Sequence, residues 1–207
     1  MTTKEKPILF SGPMVRAILE DRKTQTRRIV KPQPDACHDG EPYWYVGGYR
    51  VWANRPASAV PLRAGGNQLQ CPYGQPGDRL WVRETWCVGK PYDTFAPSKL
   101  PKPTTKEMLA VDYLANPARM WHEDYQGRWR PSIHMPRWAS RLTLEITAVR
   151  VERLQDISEA DAKAEGCEAV WLGRTAKSNY CILWESINGP GSWALNPYVW
   201  VITFKRL

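Results

Sequence analysis

No segment of the chain approaches the roughly 18 to 20 consecutive apolar residues that a membrane-crossing helix needs, so a helical membrane protein is excluded. Met1 to Phe10 carries lysines but no apolar core of a secretory signal, and a cytoplasmic protein with no membrane partner is expected. The five cysteines (Cys37, Cys71, Cys87, Cys167 and Cys181) are odd in number, and none forms a C-x-x-C pair. That argues against a disulfide framework and against a zinc ribbon, and the cysteines read as reduced thiols. Cys37-His38 with Cys71 resembles the start of a metal site, but its spacing repeats nowhere else and no metal is expected. The sequence also lacks G-x-G-x-x-G, an alternating strand-helix rhythm and internal repeats, which argues against a doubly wound fold.

What is present is a chain of 207 residues, a length for one domain with insertions and enough to bury a core. Hydrophobic residues at 43% and charged residues at 24% match a folded protein, for which roughly 45–50% and 25% are usual. Eleven tryptophans, 18 prolines and 14 glycines make it aromatic and rich in loops. The net charge of +8 is concentrated. Met1 to Pro34 holds 8 Lys and Arg against 3 acids, Arg119 to Arg141 holds 5 Arg against 2 acids, and the remainder sums to zero. Two basic segments, the second interleaved with Trp121, Trp129 and Trp138, suit a nucleotide or nucleic-acid partner; a solvated basic surface is the alternative.

Ile8 to Phe10 is a short apolar run, and Ser11-Gly12-Pro13 opens a helix, with a serine able to cap and a proline in the first turn. Val15, Ile18 and Leu19 recur at helical spacing, and the helix is predicted to end near Asp21 or Arg22, before strand-like residues from Thr24 to Val30. Pro76-Gly77-Asp78 forms a turn into a strand from Leu80 through Trp86, and a short helix is expected over Thr105 to Leu114. From Arg141 to Leu154, Leu142, Leu144, Ile146 and Ala148 share one face before Val149 and Val151 take over, a phase slip that suggests a bulge or bend. Ser158 caps a short helix to Glu165 that Gly166 stops. A further helix runs from about Thr175 to Ile187, with Tyr180, Leu183, Trp184 and Ile187 on one face, and Tyr198 to Phe204 closes as a strand.

The densest set of reactive groups is Glu20 to Arg28. A lysine serves as base or nucleophile only when its ammonium loses a proton near neutral pH, which burial and neighbouring positive charge favour. Arg22, Arg27 and Arg28 supply that charge, and Lys23 with Thr24 or Thr26 forms a candidate amine-hydroxyl pair. A solvated basic turn at a helix end is the competing reading. Arg83 follows the Gly-Asp turn as a candidate phosphate contact, and Glu84 as an acceptor for an exocyclic amine, with a cross-strand ion pair as the alternative. Trp86 and Trp138 are candidates to stack a base, or else are core. His134 has no Ser or Asp at telling spacing and reads as an ordinary histidine.

The stretch Ile18-Leu19-Glu20-Asp21-Arg22-Lys23-Thr24-Gln25-Thr26-Arg27 resembles the I-L-x-G-x-K-T-x-T-x-R signature of the ASCH domains, with Asp21 where that family usually has glycine. Pro76-Gly77-Asp78-Arg79-Leu80, the strand from Leu142 to Leu154 with its helix, and the final strand resemble further family blocks in family order. Cys71-Pro72-Tyr73-Gly74, Arg83-Glu84-Thr85-Trp86, the run from Met135 to Arg141 and the run from Ile187 to Trp193 are similar to long ASCH proteins of bacteriophages and prophages.

The resemblance implies an α+β fold: a single PUA-like small β-barrel over residues 1–207, with short flanking helices. Its core would be about 7–34, 72–86 and 131–207, and its two long insertions about 35–70 and 88–130. It implies an amidohydrolase that removes an N-acyl group from a modified pyrimidine nucleoside such as N4-acetylcytidine, without metal or organic cofactor. Lys23, Thr26 and Glu165 fall on the family's catalytic positions. Thr26 would attack the amide carbonyl, Lys23 would take and return its proton, and Glu165 would orient Lys23 or help protonate the leaving amine. Arg22, Arg27, Arg83, Glu84, Trp86 and Trp138 are the candidate substrate contacts. Two rivals remain: a module that binds RNA or a modified nucleotide without turnover, and a ribonuclease.

Overall fold

The computed structural model describes residues 4–38, 41–46, 49–52, 69–101, 110–118, 122–169 and 173–207. These form a mixed α+β structure of ten strands and three α-helices. In chain order they are β1 (Glu5–Leu9), α1 (Gly12–Leu19), β2 (Gln25–Ile29), β3 (Ala36–His38), β4 (Glu41–Val46), β5 (Tyr49–Trp52), β6 (Arg79–Arg83), β7 (Trp86–Val88), β8 (Val111–Tyr113), β9 (Thr143–Arg153), α2 (Glu159–Ala164), α3 (Ala176–Asn188) and β10 (Tyr198–Arg206). They pack as two compact units: residues 1–21, 78–145 and 206–207, and residues 22–77 and 146–205. No helix among the described residues is long and apolar enough to cross a membrane.

In the first unit β1 runs parallel to β6, pairing Glu5 with Arg79 through Leu9 with Arg83, and β6 pairs antiparallel with the start of β9. Helix α1 buries Val15 and Ile18, as their spacing predicted, together with Ala17, while Leu19 is half-buried. Ser11 holds the N-cap position but makes no side-chain cap hydrogen bond. Pro13 sits at the second helical position, one of the two whose N–H such a side chain would take, and proline has none. Asp21 follows the helix with φ of 55°, a left-handed conformation in which glycine is at ease and aspartate is tolerated. The strand expected from Leu80 through Trp86 is interrupted: β6 ends at Arg83 and β7 begins at Trp86.

β7 pairs with β8, so Val111 to Tyr113 are strand where a helix was expected; the alternation of Val111, Asp112 and Tyr113 suits one ladder. Ala110 and Leu114 are not helical either, and residues 105–109 lie outside the described residues, as does Trp121. Around β7 a core forms from Trp86, Val88, Leu100, Met135 and Ala139. Gly127 lets the backbone close on this region: a Cβ there would collide with the Val88 carbonyl oxygen and with Asp93.

In the second unit β10 lies between β9 and β2, and β3, β4 and β5 form an antiparallel meander. The phase slip along β9 is visible in burial, with Thr147 and Ala148 both exposed between buried Ile146 and buried Val151. Ala148 therefore leaves the inner face one step earlier than its spacing indicated. Ser158 caps α2 by accepting from the Asp161 N–H, and Thr175 caps α3 by accepting from the Ser178 N–H. Gly166 takes φ of 87° just beyond α2, the left-handed step that ends a helix. The core of this unit joins Leu154, Ile157, Ala162, Cys167, Ala176, Tyr180, Trp184, Val199 and Val201. Ile187 is 64% exposed, so α3 packs through Ala176, Tyr180 and Trp184 instead of through its last turn.

Candidate functional site

Lys23 lies between α1 and β2 and forms an isolated antiparallel bridge with Glu165, while the neighbouring Thr24 N–H donates to the Ala164 carbonyl at 2.8 Å. The bridge brings together two residues separated by 142 positions. The Lys23 amine donates to Glu165 Oε2 at 2.6 Å, to the Glu165 carbonyl at 2.9 Å and to the Gln25 carbonyl at 2.8 Å. Both side chains are buried, at 2% and 3% exposure. Burial holds the Lys23 pKa below the usual lysine value, Glu165 pulls it back up, and the charge of Arg28 lowers it further.

Strand alternation puts Gln25 and Arg27 on one face of β2 and Thr26 and Arg28 on the other. Arg27 is fully buried and reaches three acids. Its Nη1 donates to Glu165 Oε1 at 3.2 Å, its Nη2 and Nε donate to Glu152 Oε1 at 2.6 and 3.1 Å, and its Nη2 lies 3.5 Å from Asp161 Oδ2. The Tyr180 ring centroid lies 5.9 Å from the guanidinium. Burial opposes the charged form of Arg27, but the Glu165 and Glu152 carboxylates outweigh it and raise its pKa. Burial, reinforced by Glu165, raises the Cys167 thiol to about 11 and pushes the Tyr180 hydroxyl above its ordinary range.

Thr26 is buried, and its hydroxyl accepts from Arg28 Nη1 at 3.2 Å. A lysine ammonium has three protons and no lone pair, and those of Lys23 go to Glu165 and to two carbonyls. Lys23 can therefore accept a proton only in its neutral form. Of the sequence candidates, Lys23, Arg27 and Glu165 meet in one hydrogen-bonded cluster, whereas Thr26 lies on the face of β2 opposite Arg27, with Arg28 as its partner. Arg22 is exposed and lies 3.5 Å from Glu168. Glu152 and Asp161 escaped sequence reasoning, because carboxylates on β9 and α2 show no spacing relation to Arg27.

The remaining candidates belong to the first unit, and two of them change character. Glu84 is buried and both its oxygens are held by Arg141, at 2.9 Å each, so it anchors an ion pair instead of awaiting an exocyclic amine. Burial raises its pKa, opposed by Arg141. Trp86 is wholly buried in the core and meets Trp138 edge-on at 6.1 Å, leaving no face open for stacking a base. Trp138 is half-buried. Arg83 lies over the Trp81 ring at 4.5 Å and donates to the Ile133 carbonyl at 3.3 Å.

The second basic segment is less of a free surface than its composition suggested. Arg130 is buried and donates to the Phe95 and Tyr92 carbonyls, Arg137 pairs with Glu5, and Arg141 pairs with Glu84. Among the described residues no group of three or more His, Cys, Asp or Glu is placed to hold a metal ion. Compared with protein-family models, with curated proteins and with solved structures, the chain matches none.

Proposed function

We propose that the chain is an ASCH-domain protein of the PUA-like β-barrel superfamily and that it hydrolyses an N-acyl group from a modified pyrimidine nucleoside of the N4-acetylcytidine type. The observation that carries this reading is the buried amine of Lys23, set 2.6 Å from Glu165 with its pKa lowered by desolvation. An amine is useful as a general base when its pKa is brought towards the working pH.

In the proposed reaction neutral Lys23 takes the Thr26 proton as Oγ1 bonds to the acyl carbon. The bond from that carbon to the nucleobase nitrogen breaks, and Lys23 returns the proton to the leaving amine. Water then cleaves the acyl-threonine by the same groups in reverse order. Arg28, 3.2 Å from Thr26 Oγ1, favours the negative charge that develops on that oxygen. Glu165 orients Lys23.

The second reading, a module that binds RNA or a modified nucleotide without turnover, draws support from the three protons of Lys23 all being committed to acceptors. Incubating the protein with N4-acetylcytidine and, separately, with labelled RNA distinguishes the readings. Release of cytidine that Lys23→Ala and Thr26→Ala both abolish is the expected result. Retention of intact RNA without any turnover favours the binding module, and cleaved RNA favours a ribonuclease.

A further inference from the structure

We infer that Arg27, anchored by Glu152, is a positioning residue that fixes the Glu165 carboxylate against the Lys23 amine. The inference rests on reading Lys23 as the proton-transfer base. The guanidinium is a rigid planar fork, so holding one edge sets the direction of the other. Nε and Nη2 are both held by Glu152 Oε1, at 3.1 and 2.6 Å, which leaves Nη1 to donate to Glu165 Oε1 at 3.2 Å and to Gln25 Oε1 at 2.8 Å. Each oxygen of Glu165 therefore carries one cation, Lys23 on Oε2 and Arg27 on Oε1. Turning the carboxylate breaks both contacts.

The anchor continues outward. Arg150 donates to Glu152 Oε2 at 2.9 Å and to Asp161 Oδ2 at 3.2 Å, and Ser158 donates to Asp161 Oδ2 at 3.0 Å. Charges thus alternate from half-exposed Arg150 to buried Lys23, with three bases (Arg150, Arg27, Lys23) balanced by three acids (Glu152, Asp161, Glu165). The groups facing Lys23 are Glu165, Arg28 and Cys167, and those facing Arg27 are Glu152 from β9, Asp161 from α2, Tyr180 from α3 and Glu165.

Glu152→Gln keeps the shape of the anchor and removes its charge. The unbalanced Arg27 then leans on Glu165, which weakens the hold of Glu165 on the Lys23 ammonium, and the network gains a net positive charge. Both changes disfavour protonated Lys23.

The test follows the side-chain nitrogen of Lys23 by NMR titration, identified by its loss in Lys23→Arg, and measures kcat and KM for N4-acetylcytidine against pH. In Glu152→Gln the Lys23 midpoint is expected to fall by about half a pH unit or more, with the acid limb of kcat moving alongside it and KM changing less than about twofold. Arg27→Lys, a point charge in place of a fork, is expected to lower kcat about tenfold or more without restoring the wild-type profile. A Lys23 titration and pH profile in Glu152→Gln that overlay the wild type overturn the inference, as does full activity in Arg27→Lys. If the wild type hydrolyses no acylated cytidine yet the Lys23 midpoint still falls in Glu152→Gln, the positioning role stands and the hydrolase reading fails.

Discussion

Removing the charge of Glu165 is expected to cost more stability than removing the amine of Lys23, although the two share one contact. Glu165→Gln leaves the Lys23 ammonium, 2% exposed, with carbonyl acceptors and no carboxylate beside it. Breaking a buried ion pair in this way costs about 3–5 kcal/mol, because an uncompensated charge remains inside. Lys23→Met removes the charge itself, and Glu165 keeps Arg27 at 3.2 Å, so the loss is about 2 kcal/mol, the worth of one hydrogen bond to a charged group. The double variant buries neither an unmatched ammonium nor an unmatched carboxylate, since Arg27 retains Glu152 at 2.6 Å, and its cost is expected to stay near that of Lys23→Met. The coupling between the two changes is then at least about 3 kcal/mol. Urea denaturation at neutral pH reads this directly: with a slope of about 3 kcal/mol/M, Glu165→Gln lowers the midpoint by about 1 M or more. Additive single effects, or a larger loss in Lys23→Met than in Glu165→Gln, refute the placement of an ammonium between Glu165 and the two carbonyls.

Three further outcomes are expected. Because the folded-state pKa of Lys23 lies below 10.5, the unfolded chain binds more protons between that lowered value and 10.5, so stability rises with pH across this window. The urea midpoint of the wild type relative to Lys23→Met should therefore climb towards about pH 10; a falling difference contradicts the assignment. Gly127→Ala forces a methyl against the Val88 carbonyl and Asp93, and a thermal melt should show a loss of about 1–3 kcal/mol or more from overpacking. Ser158→Ala removes the cap of α2 and should cost about 1 kcal/mol, measured by chemical denaturation, whereas an unchanged midpoint would mean that the cap contributes nothing.

Local signals in the sequence carried the elements that local chemistry decides. Ser158, Gly166 and Thr175 mark the ends of α2 and α3 because a hydroxyl accepts from an N–H three residues on and a glycine adopts the left-handed step. Alternation revealed β9 and its slip for the same reason. The expected helix at Thr105 to Leu114 failed where three residues were decided by a partner strand elsewhere, Trp86 to Val88. At the site, the pairing of Lys23 with Glu165 came through family likeness alone, since no spacing rule joins residues 142 apart. Arg27 was legible as a charge but not as a bridge, and nothing in the sequence tied Glu152 or Asp161 to it, because the sheet and α2 deliver them from separate parts of the chain. Trp86 and Glu84 looked available for the same reason: burial under Met135 and Ala139 and capture by Arg141 are tertiary facts.

The unit that holds Lys23 is not a continuous piece of chain: it is made of residues 22–77 and 146–205. On a ribosome, β2 emerges long before its hydrogen-bonding neighbour β10, as the contact from Gln25 to Thr203 across 178 positions indicates. Until then an arginine-rich strand stands without its ladder while the nascent chain lengthens past it. Closing so long a loop is slow, and an unpaired strand edge invites association with other chains. A stop codon anywhere before Tyr198 therefore yields a product that cannot complete this unit, and neither unit is obtainable by cutting the gene at a single place.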